Sequence, residues 1–272
     1  MVGPAISIPL ISMFVSTSGW RVSFFFLIGI SLIPMALVWF LTADKPRQSK
    51  QANLAEVEYI ESALQAESAA HAAKIATTGG TGKKFYLDYR YWMITFAFLC
   101  SASMFWGTMA WLPSYLKVAR GFTWAQMGSL SSLPYILGTV TVLLFGYIAD
   151  RSNRKAIFPM IALGSGAICM YLGANVADNV TSAYFISAAI GSLGIGLASY
   201  WAIMQTIVPA SSMGTAAGIM NGVASIGSAF VPTIVGIFIQ ATGGSYASGL
   251  MFLVGMAALG CVCSLVLTLK RI

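Results

Sequence analysis

Polar side chains that could bind a solute stand inside long apolar runs of this sequence. Asn221, Ser225 and Ser228 follow one another at helical spacing, so they share one face of a helix. Asn221 can both donate and accept hydrogen bonds, which suits a hydroxylated or carboxylated solute. Trp201 and Gln205 are four residues apart and share a face of another helix. The same groups could instead hydrogen-bond neighbouring helices, and the residues alone leave both interpretations open.

The sequence contains no comparable pattern of residues for acid–base catalysis or metal binding. All 8 acidic residues lie outside the centres of the apolar runs, and the single His71 stands in a polar segment. Cys261 and Cys263 are two residues apart on one helix, so they point in different directions and make a poor metal pair. No G-x-S-x-G elbow is present. We therefore expect no catalytic residue, no cofactor and no metal, and we expect neither an enzyme nor a receptor.

The composition requires a lipid environment. Only 8% of the 272 residues are charged and 58% are hydrophobic, with a mean hydropathy of +0.80. A single soluble core could not bury so much apolar surface, and runs of about 20 apolar residues can cross a bilayer. The sequence thus predicts an all-α membrane protein with about eight transmembrane helices. The predicted helices lie at 1–16, 22–41, 91–112, 125–148, 157–174, 183–207, 214–239 and 248–269.

The basic residues predict the orientation of these helices. Of the 15 Lys and Arg residues, 12 fall on one side of the predicted bilayer, and only Arg21, Lys117 and Arg120 fall on the other. Basic residues favour the cytoplasmic side, so both termini are expected in the cytoplasm. The net charge of +7 follows from this asymmetry and does not indicate nucleic-acid binding. The expected location is the inner (cell) membrane, crossed several times.

Small residues are expected to pack these helices closely. Gly214, Gly218 and Gly222 recur every four residues on one face, a spacing that lets helix backbones approach in lipid. A second set in the preceding run is expected to do the same: Gly191, Gly194 and Gly196. Between the second and third runs, residues 42–90 form a soluble segment with a narrow apolar stripe and a Gly/Thr-rich linker. The stripe consists of Leu54, Val57, Ile60 and Leu64, and the linker covers 77–82.

A burst of charge at 146–155 separates two apolar runs. It reads G-x-x-x-D-R-x-x-R-K and contains Gly146, Asp150, Arg151, Arg154 and Lys155. A merely basic cytoplasmic loop is the simpler interpretation. The pattern nevertheless resembles the signature loop of the major facilitator superfamily of transporters, with Asn153 where Gly is usual. After Gly, Asn is the residue that adopts a positive φ most easily, so the turn is expected to survive.

The resemblance implies an incomplete major facilitator fold. The loop would join the second and third helices of the C-terminal half, so residues 91–272 would form that complete six-helix half. Residues 1–41 would be the last two helices of the N-terminal half, and 42–90 the loop between the halves, with an amphipathic helix. Four N-terminal helices would then be missing, although a complete substrate site requires them.

Shorter motifs resemble the anion:cation symporters of this superfamily. They are Trp111–Leu116 with Arg120–Phe122, then Tyr200-Trp201, then Asn221 with Pro232. This family carries organic acids such as hexuronates, so the chain is expected to be a secondary active transporter of small organic anions, a sugar acid or an aromatic carboxylate. Alternating access and proton-coupled symport are implied, with the coupling acids in the missing helices. The truncated chain is then expected to be inactive. The alternative is a non-transporting fragment with only a structural role, or a pseudogene product.

The resemblance also assigns roles to residues. It favours a substrate cavity for Trp201 and Asn221, and we add Gln205 and Trp106 as further substrate-binding candidates. Trp111, nearer the end of its helix, is expected to be an interfacial anchor. Asp150 is implied to latch one of two conformations, which requires its partial burial because an exposed ion pair contributes only about 0–1 kcal/mol.

Overall fold

The computed structural model describes residues 2–270 except 44, 50–51, 78–84 and 153. Within these ranges the chain contains helices and turns but no strand, which confirms the predicted all-α class. The α-helices are α1 Val2–Ser18, α2 Trp20–Leu41, α3 Leu54–Thr77, α4 Tyr89–Ser114, α5 Trp124–Asp150, α6 Ile157–Asn175, α7 Asn179–Ser192, α8 Gly194–Ile207, α9 Met213–Ala241 and α10 Tyr246–Leu269.

Seven helical segments of the described chain are long and apolar enough to cross a membrane. They correspond to the second through eighth predicted runs, and α7 with α8 forms one of them over Asn179–Ile207. The first predicted run lies in α1, whose 17 residues fall short of the roughly 20 that span a bilayer. The segment that begins with α4 extends through a π-helical turn, Tyr115–Ala119.

The helices begin and end where local chemistry requires it. Thr123 and Gln126 form a reciprocal capping box at the start of α5, which satisfies backbone N–H groups that lack a partner within the helix. The Asp178 carboxylate accepts a hydrogen bond from the Thr181 N–H at the start of α7, at 2.7 Å. After α9 the chain turns through Gly243 and Gly244, whose φ angles of 70° and 92° favour glycine.

The contacts divide the chain into two compact units, residues 13–83 and residues 1–12 with 84–272. In the larger unit, α10 packs against α4, α6 and α9, while α5 packs against α7 and α8. Its core contains Tyr91, Met104 and Tyr200, all completely buried. The Tyr91 hydroxyl donates to the Ala216 carbonyl at 2.8 Å and so joins α4 to α9.

The two glycine sets behave differently. A Cβ added at Gly194 would collide with the Thr141 Oγ1 atom and lie 2.7 Å from the Gly138 carbonyl oxygen. At Gly191 and Gly196 it would also fall within 3.0 Å of another helix, which confirms close packing there. At Gly214, Gly218 and Gly222 it would meet nothing within 4 Å. The prediction of close packing at Gly214, Gly218 and Gly222 is therefore wrong within the described chain, because no described atom covers this face of α9.

The smaller unit contains α2, α3 and a short 3₁₀ turn at Pro46–Gln48. The Asn53 side chain accepts a hydrogen bond from the Glu56 N–H at 2.7 Å at the start of α3. Arg47 forms a bidentate ion pair with Glu61, and its hydrogen bonds lower the pKa of the Glu61 carboxyl. In the predicted apolar stripe Val57 is buried but Leu54 is exposed. Most of the predicted linker, 78–82, lies outside the described residues.

Candidate functional site

An open groove of about 550 Å³ lies between α4 and α9. The residues that line it are aromatic, apolar or hydroxylated, and none is charged: Trp106, Met109, Ala110, Ser225, Ser228, Ala229 and Pro232. Their spacing of three and four residues places each set on one helix face. The volume falls within the range of about 300–1,000 Å³ that small-molecule sites occupy.

Close contacts beside the groove hold its two helices together. A Cβ added at Gly107 of α4 would lie 2.7 Å from Val231 Cγ1 of α9. A Cβ added at Gly227 of α9 would collide with the Leu99 side chain of α4. Larger residues at these two glycines would push the helices apart, so the glycines limit the width of the groove.

Trp111 does not act as the interfacial anchor that its position near a helix end suggested. Its indole Nε1–H donates to the Pro232 carbonyl at 2.8 Å. Its ring lies against Gly236, where an added Cβ would be 3.0 Å from Trp111 Cζ2. The ring also meets Tyr246 of α10 edge-on, with centroids 6.1 Å apart. The indole N–H is therefore used inside the bundle, at one end of the groove.

Two of the predicted substrate-binding residues belong to the helices that form the groove. Trp106 lines it with 57% of its surface exposed, and its ring meets Phe105 edge-on at 5.3 Å. Asn221 is exposed on α9, one turn before Ser225. Its side chain has no hydrogen-bond partner among the described residues, so its amide is free to meet a solute. Ser225 and Ser228, which the sequence placed on one stripe with Asn221, both line the groove.

The other two candidates lie on α8 and are not among the residues that line the groove. Trp201 is half-buried and packs edge-on against Phe98 of α4, with centroids 5.6 Å apart. Gln205 is exposed one turn later. α4 therefore carries both the aromatic partner of Trp201 and, two turns further on, Trp106. The sequence did not single out Met109 or Ala110, because apolar side chains on a groove wall look like ordinary core residues.

The charged motif forms the connection from α5 to α6. α5 ends at Asp150, and the Arg151 guanidinium lies 4.2 Å from the centre of the Tyr147 ring. The Arg154 N–H donates to the Ser152 hydroxyl at 3.2 Å. Asp150 is exposed and forms no ion pair with a described residue. The predicted turn at Asn153 lies outside the described residues.

Gly146 and Lys155 flank this connection. A Cβ added at Gly146 would meet nothing within 4 Å, so the described chain alone does not require a glycine there. Lys155 is half-buried just before α6, and its carbonyl accepts from the Phe158 N–H at 3.4 Å. The conformational role of the motif thus remains a prediction.

Arg120 stands beyond the π-helical turn and is held by the protein itself. Its Nε–H donates to the Tyr115 hydroxyl at 2.8 Å, and that hydroxyl is 2.7 Å from the Ser182 hydroxyl. Its terminal nitrogens donate to one side chain and three carbonyls around the end of α6: Asn179, Gly173, Val176 and Ala177. Because all of these donors are directed at the protein, Arg120 stabilises the ends of α4 and α6 rather than a solute.

The fold and groove define a multi-pass helical membrane protein with a solute-sized opening between two of its helices. The sequence profile described as Major Facilitator Superfamily matches residues 1–232. The chain therefore belongs to the major facilitator superfamily, a family of transporters rather than of enzymes.

Curated relatives are named for organic acids. The chain is 30% identical to the "Probable sulfoacetate transporter SauU" of Cupriavidus necator, over 95% of its own length and 59% of the relative. It is 28% identical to the "D-galactonate transporter" of Escherichia coli, over 100% of its own length and 65% of the relative. It is 26% identical to a "Probable galactarate/D-glucarate transporter" of Bacillus subtilis, over 95% and 58%. The chain thus spans about three fifths of the length of these relatives.

Proposed function

We propose that this chain forms part of a secondary active transporter that moves small organic anions across the cell membrane by alternating access. The α4–α9 groove is the observation that carries the proposal, since it is large enough for such a solute and lined with hydroxyl and aromatic groups. The names of the relatives support a sugar acid. An aromatic carboxylate is the second substrate class that the resemblance to the anion:cation symporters implies.

The groove suits the uncharged part of a sugar acid. The exposed Trp106 ring offers an apolar surface to C–H groups, and the Ser225 hydroxyl can exchange hydrogen bonds with sugar hydroxyls. The free Asn221 amide, one turn away, can do the same at the edge of the solute. We assign Trp201 and Gln205 to the adjoining wall on α8.

The carboxylate of the solute needs a partner that the groove lacks. Burying an anion beside uncharged groups alone is costly, and no residue that lines the groove is charged. We therefore propose that a basic residue outside the groove completes the site, and that proton symport uses an acidic group there too. It follows that the 272-residue chain alone binds an organic anion weakly.

Uptake into proteoliposomes tests this proposal. The 272-residue chain is compared with a fusion that adds the part of the D-galactonate relative that this chain does not match. We expect the fusion to accumulate labelled D-galactonate, more strongly when the outside is acidic, and the chain alone to show little uptake. Uptake without dependence on the pH gradient would reject proton symport. Absence of uptake of any organic acid by a folded fusion would favour a non-transporting fragment.

Asn221→Ala in the fusion tests the assignment of the groove. We expect a several-fold rise in the KM for D-galactonate, because one or two hydrogen bonds to the solute are lost. Asn175→Ala is the matched control, since the Asn175 amide on α6 donates to the Tyr171 carbonyl of its own helix and to no other described residue. Equal KM values for the two variants would place the substrate elsewhere.

From the distribution of the basic residues, we propose that the chain lies in the inner (cell) membrane with both termini in the cytoplasm. Single cysteines at Asp178→Cys and Ser245→Cys, which follow α6 and α9, should react with an impermeant thiol reagent added outside the cell. Protection of both sites from outside, with labelling from the inside, would reverse the proposed orientation.

The charged motif 146–155 is proposed to bias one of the two conformations through Asp150. Since Asp150 is exposed and unpaired in the described chain, its partner would belong to another part of the full transporter. Asp150→Asn should then slow uptake by the fusion without lowering its melting temperature. Unchanged uptake at equal expression would leave the loop as a topology signal only.

A further inference from the structure

Trp111 joins the two walls of the groove at one end, although it does not line the groove itself. It follows Ala110, a residue of the α4 wall, and its indole N–H donates to the carbonyl of Pro232, a residue of the α9 wall. The hydrogen bond is 2.8 Å long and half-buried. A single side chain thus connects residues of both walls.

Pro232 makes this connection important for the shape of α9. A proline inside a helix lacks the N–H that would bond to the preceding turn, and it bends the helix or weakens it there. α9 therefore needs an external contact to fix the direction of its helix beyond Pro232. The indole N–H supplies one at the proline's own carbonyl.

The Trp111 ring is held on two further sides. An added Cβ at Gly236, one turn after Pro232, would lie only 3.0 Å from the ring, so glycine is what lets the ring reach the α9 backbone. Tyr246 of α10 meets the ring edge-on at an interplanar angle of 73°. The side chain therefore has little freedom to reorient, and its hydrogen bond is directional.

We infer that Trp111 is a positioning residue that sets the width of the groove by fixing the part of α9 around Pro232 against α4. The inference rests on the proposed function only for the identity of the solute. Its geometric part concerns the distance between Trp106 on one wall and Ser225 on the other.

A fluorescence experiment on the full 272-residue chain measures this distance without transport. The four cysteines are replaced by alanine, and Ser225→Cys is labelled with bimane, which a tryptophan at short range quenches. Trp106 is the groove-lining tryptophan, and Trp106→Phe should abolish the quenching. In the parent we expect one dominant quenched state.

Trp111→Phe keeps an aromatic ring but removes the donor. We expect the population of unquenched, open groove to rise roughly two- to tenfold, as expected for the loss of one hydrogen bond. The matched control is Trp92→Phe, because the Trp92 indole also donates to a backbone carbonyl at 2.8 Å, that of Tyr86, away from the groove. Trp92→Phe should leave the quenching unchanged.

Gly236→Ala provides a second variant in case Trp111→Phe does not fold. Its added methyl would press on the Trp111 ring, so it should open the groove while leaving the indole N–H in place. Quenching equal to the parent in every folded variant at these two positions would overturn the inference. A similar response to Trp92→Phe would also overturn it, since the effect would then be a general loss of stability.

D-Galactonate separates this inference from the proposed function. In the fusion used to test transport, it should slow the alkylation of an unlabelled Ser225→Cys, and adding Trp111→Phe should raise the concentration needed for half protection. If D-galactonate and the other organic acids protect no folded variant of the fusion, the proposed function fails. The positioning role of Trp111 is then decided by the quenching alone.

Discussion

Two glycine runs in the larger unit have similar sequence patterns and opposite surroundings. At the junction of α7 and α8, added Cβ atoms at Gly191, Gly194 and Gly196 would fall 3.0 Å or less from Leu137, Thr141 or Pro159. On the first half of α9, Gly214, Gly218 and Gly222 face open space. The contrast shows that glycine spacing indicates where a backbone can be approached, but not whether a partner is present.

Polar groups on the two sides differ in the same way. Near the start of α7, the helix that carries Gly191 at its other end, the Arg120 guanidinium and the Tyr115 and Ser182 hydroxyls are bonded to one another and to carbonyls. On α9, which carries the uncovered glycine run, Asn221 has no hydrogen-bond partner among the described residues, and Ser225 lines the groove. The polar groups around α7 therefore stabilise the fold. The polar groups on α9 are available to a solute or to another part of a full transporter.

The sharpest test of this contrast is a large side chain at Gly194. Gly194→Leu would collide with Thr141 and the α5 backbone, which cannot shift cheaply. We expect a loss of at least about 3 kcal/mol, the upper end for an overpacked core, and poor recovery of folded protein. Thermal unfolding in detergent, followed by size-exclusion chromatography, measures this. Gly222→Leu is the matched control and should fold normally; equal damage by both would remove the distinction between the runs.

Removal of the Arg120 side chain should have the next largest effect. Arg120→Ala leaves the Tyr115 hydroxyl and the Val176 and Ala177 carbonyls without the donors that the guanidinium supplies, at a cost of roughly 2–3 kcal/mol. Arg120→Lys should recover only a small part, because an ammonium group cannot reproduce the planar fork. The melting temperature measures both variants.

Lys117→Ala provides the control for Arg120. The Lys117 ammonium lies 5.1 Å from the centre of the Trp124 ring and contributes only about 0.5–1 kcal/mol at such a surface site. A full recovery by Arg120→Lys would show that positive charge alone matters, and would contradict the role assigned to the guanidinium geometry.

The sequence predicts the helices better than the site. Hydropathy and charge located seven membrane spans, because each requires a long apolar run, and the motif at 146–155 identified the family. The width of the groove depends on contacts between distant residues, such as Trp111 with Pro232, that no local pattern encodes. Trp111 looked like an anchor because its position near a helix end was visible, whereas its partner 121 residues later was not.

An alanine in the uncovered glycine run of α9 tests whether this face is free of packing contacts. Gly218→Ala adds a methyl that meets nothing within 4 Å and removes a flexible residue from a helix interior. We expect no loss, and a gain of up to about 1 kcal/mol, because alanine favours the helix. Thermal unfolding of the 272-residue chain measures this. A loss larger than about 1 kcal/mol would mean that this face is packed after all.

The smallest expected effect concerns the starts of α7 and α9. At the start of α7, hydrogen bonds from Thr181 and, more weakly, the charge of Arg120 hold the pKa of Asp178 below its ordinary 3.8. A carboxyl with a lowered pKa in the folded state stabilises the fold above its ordinary pKa, and this contribution is lost as the pH falls through the lowered value. Asp178→Asn keeps a capping acceptor but cannot titrate, so it should remove a small part of the acid-induced fall in melting temperature between about pH 6 and about pH 3. Ser212→Ala, at the uncapped start of α9, should change neither the melting temperature nor its pH dependence. If the melting temperatures of Asp178→Asn and the parent fall equally with decreasing pH, the charge of the Asp178 carboxylate contributes nothing to the stability of the fold.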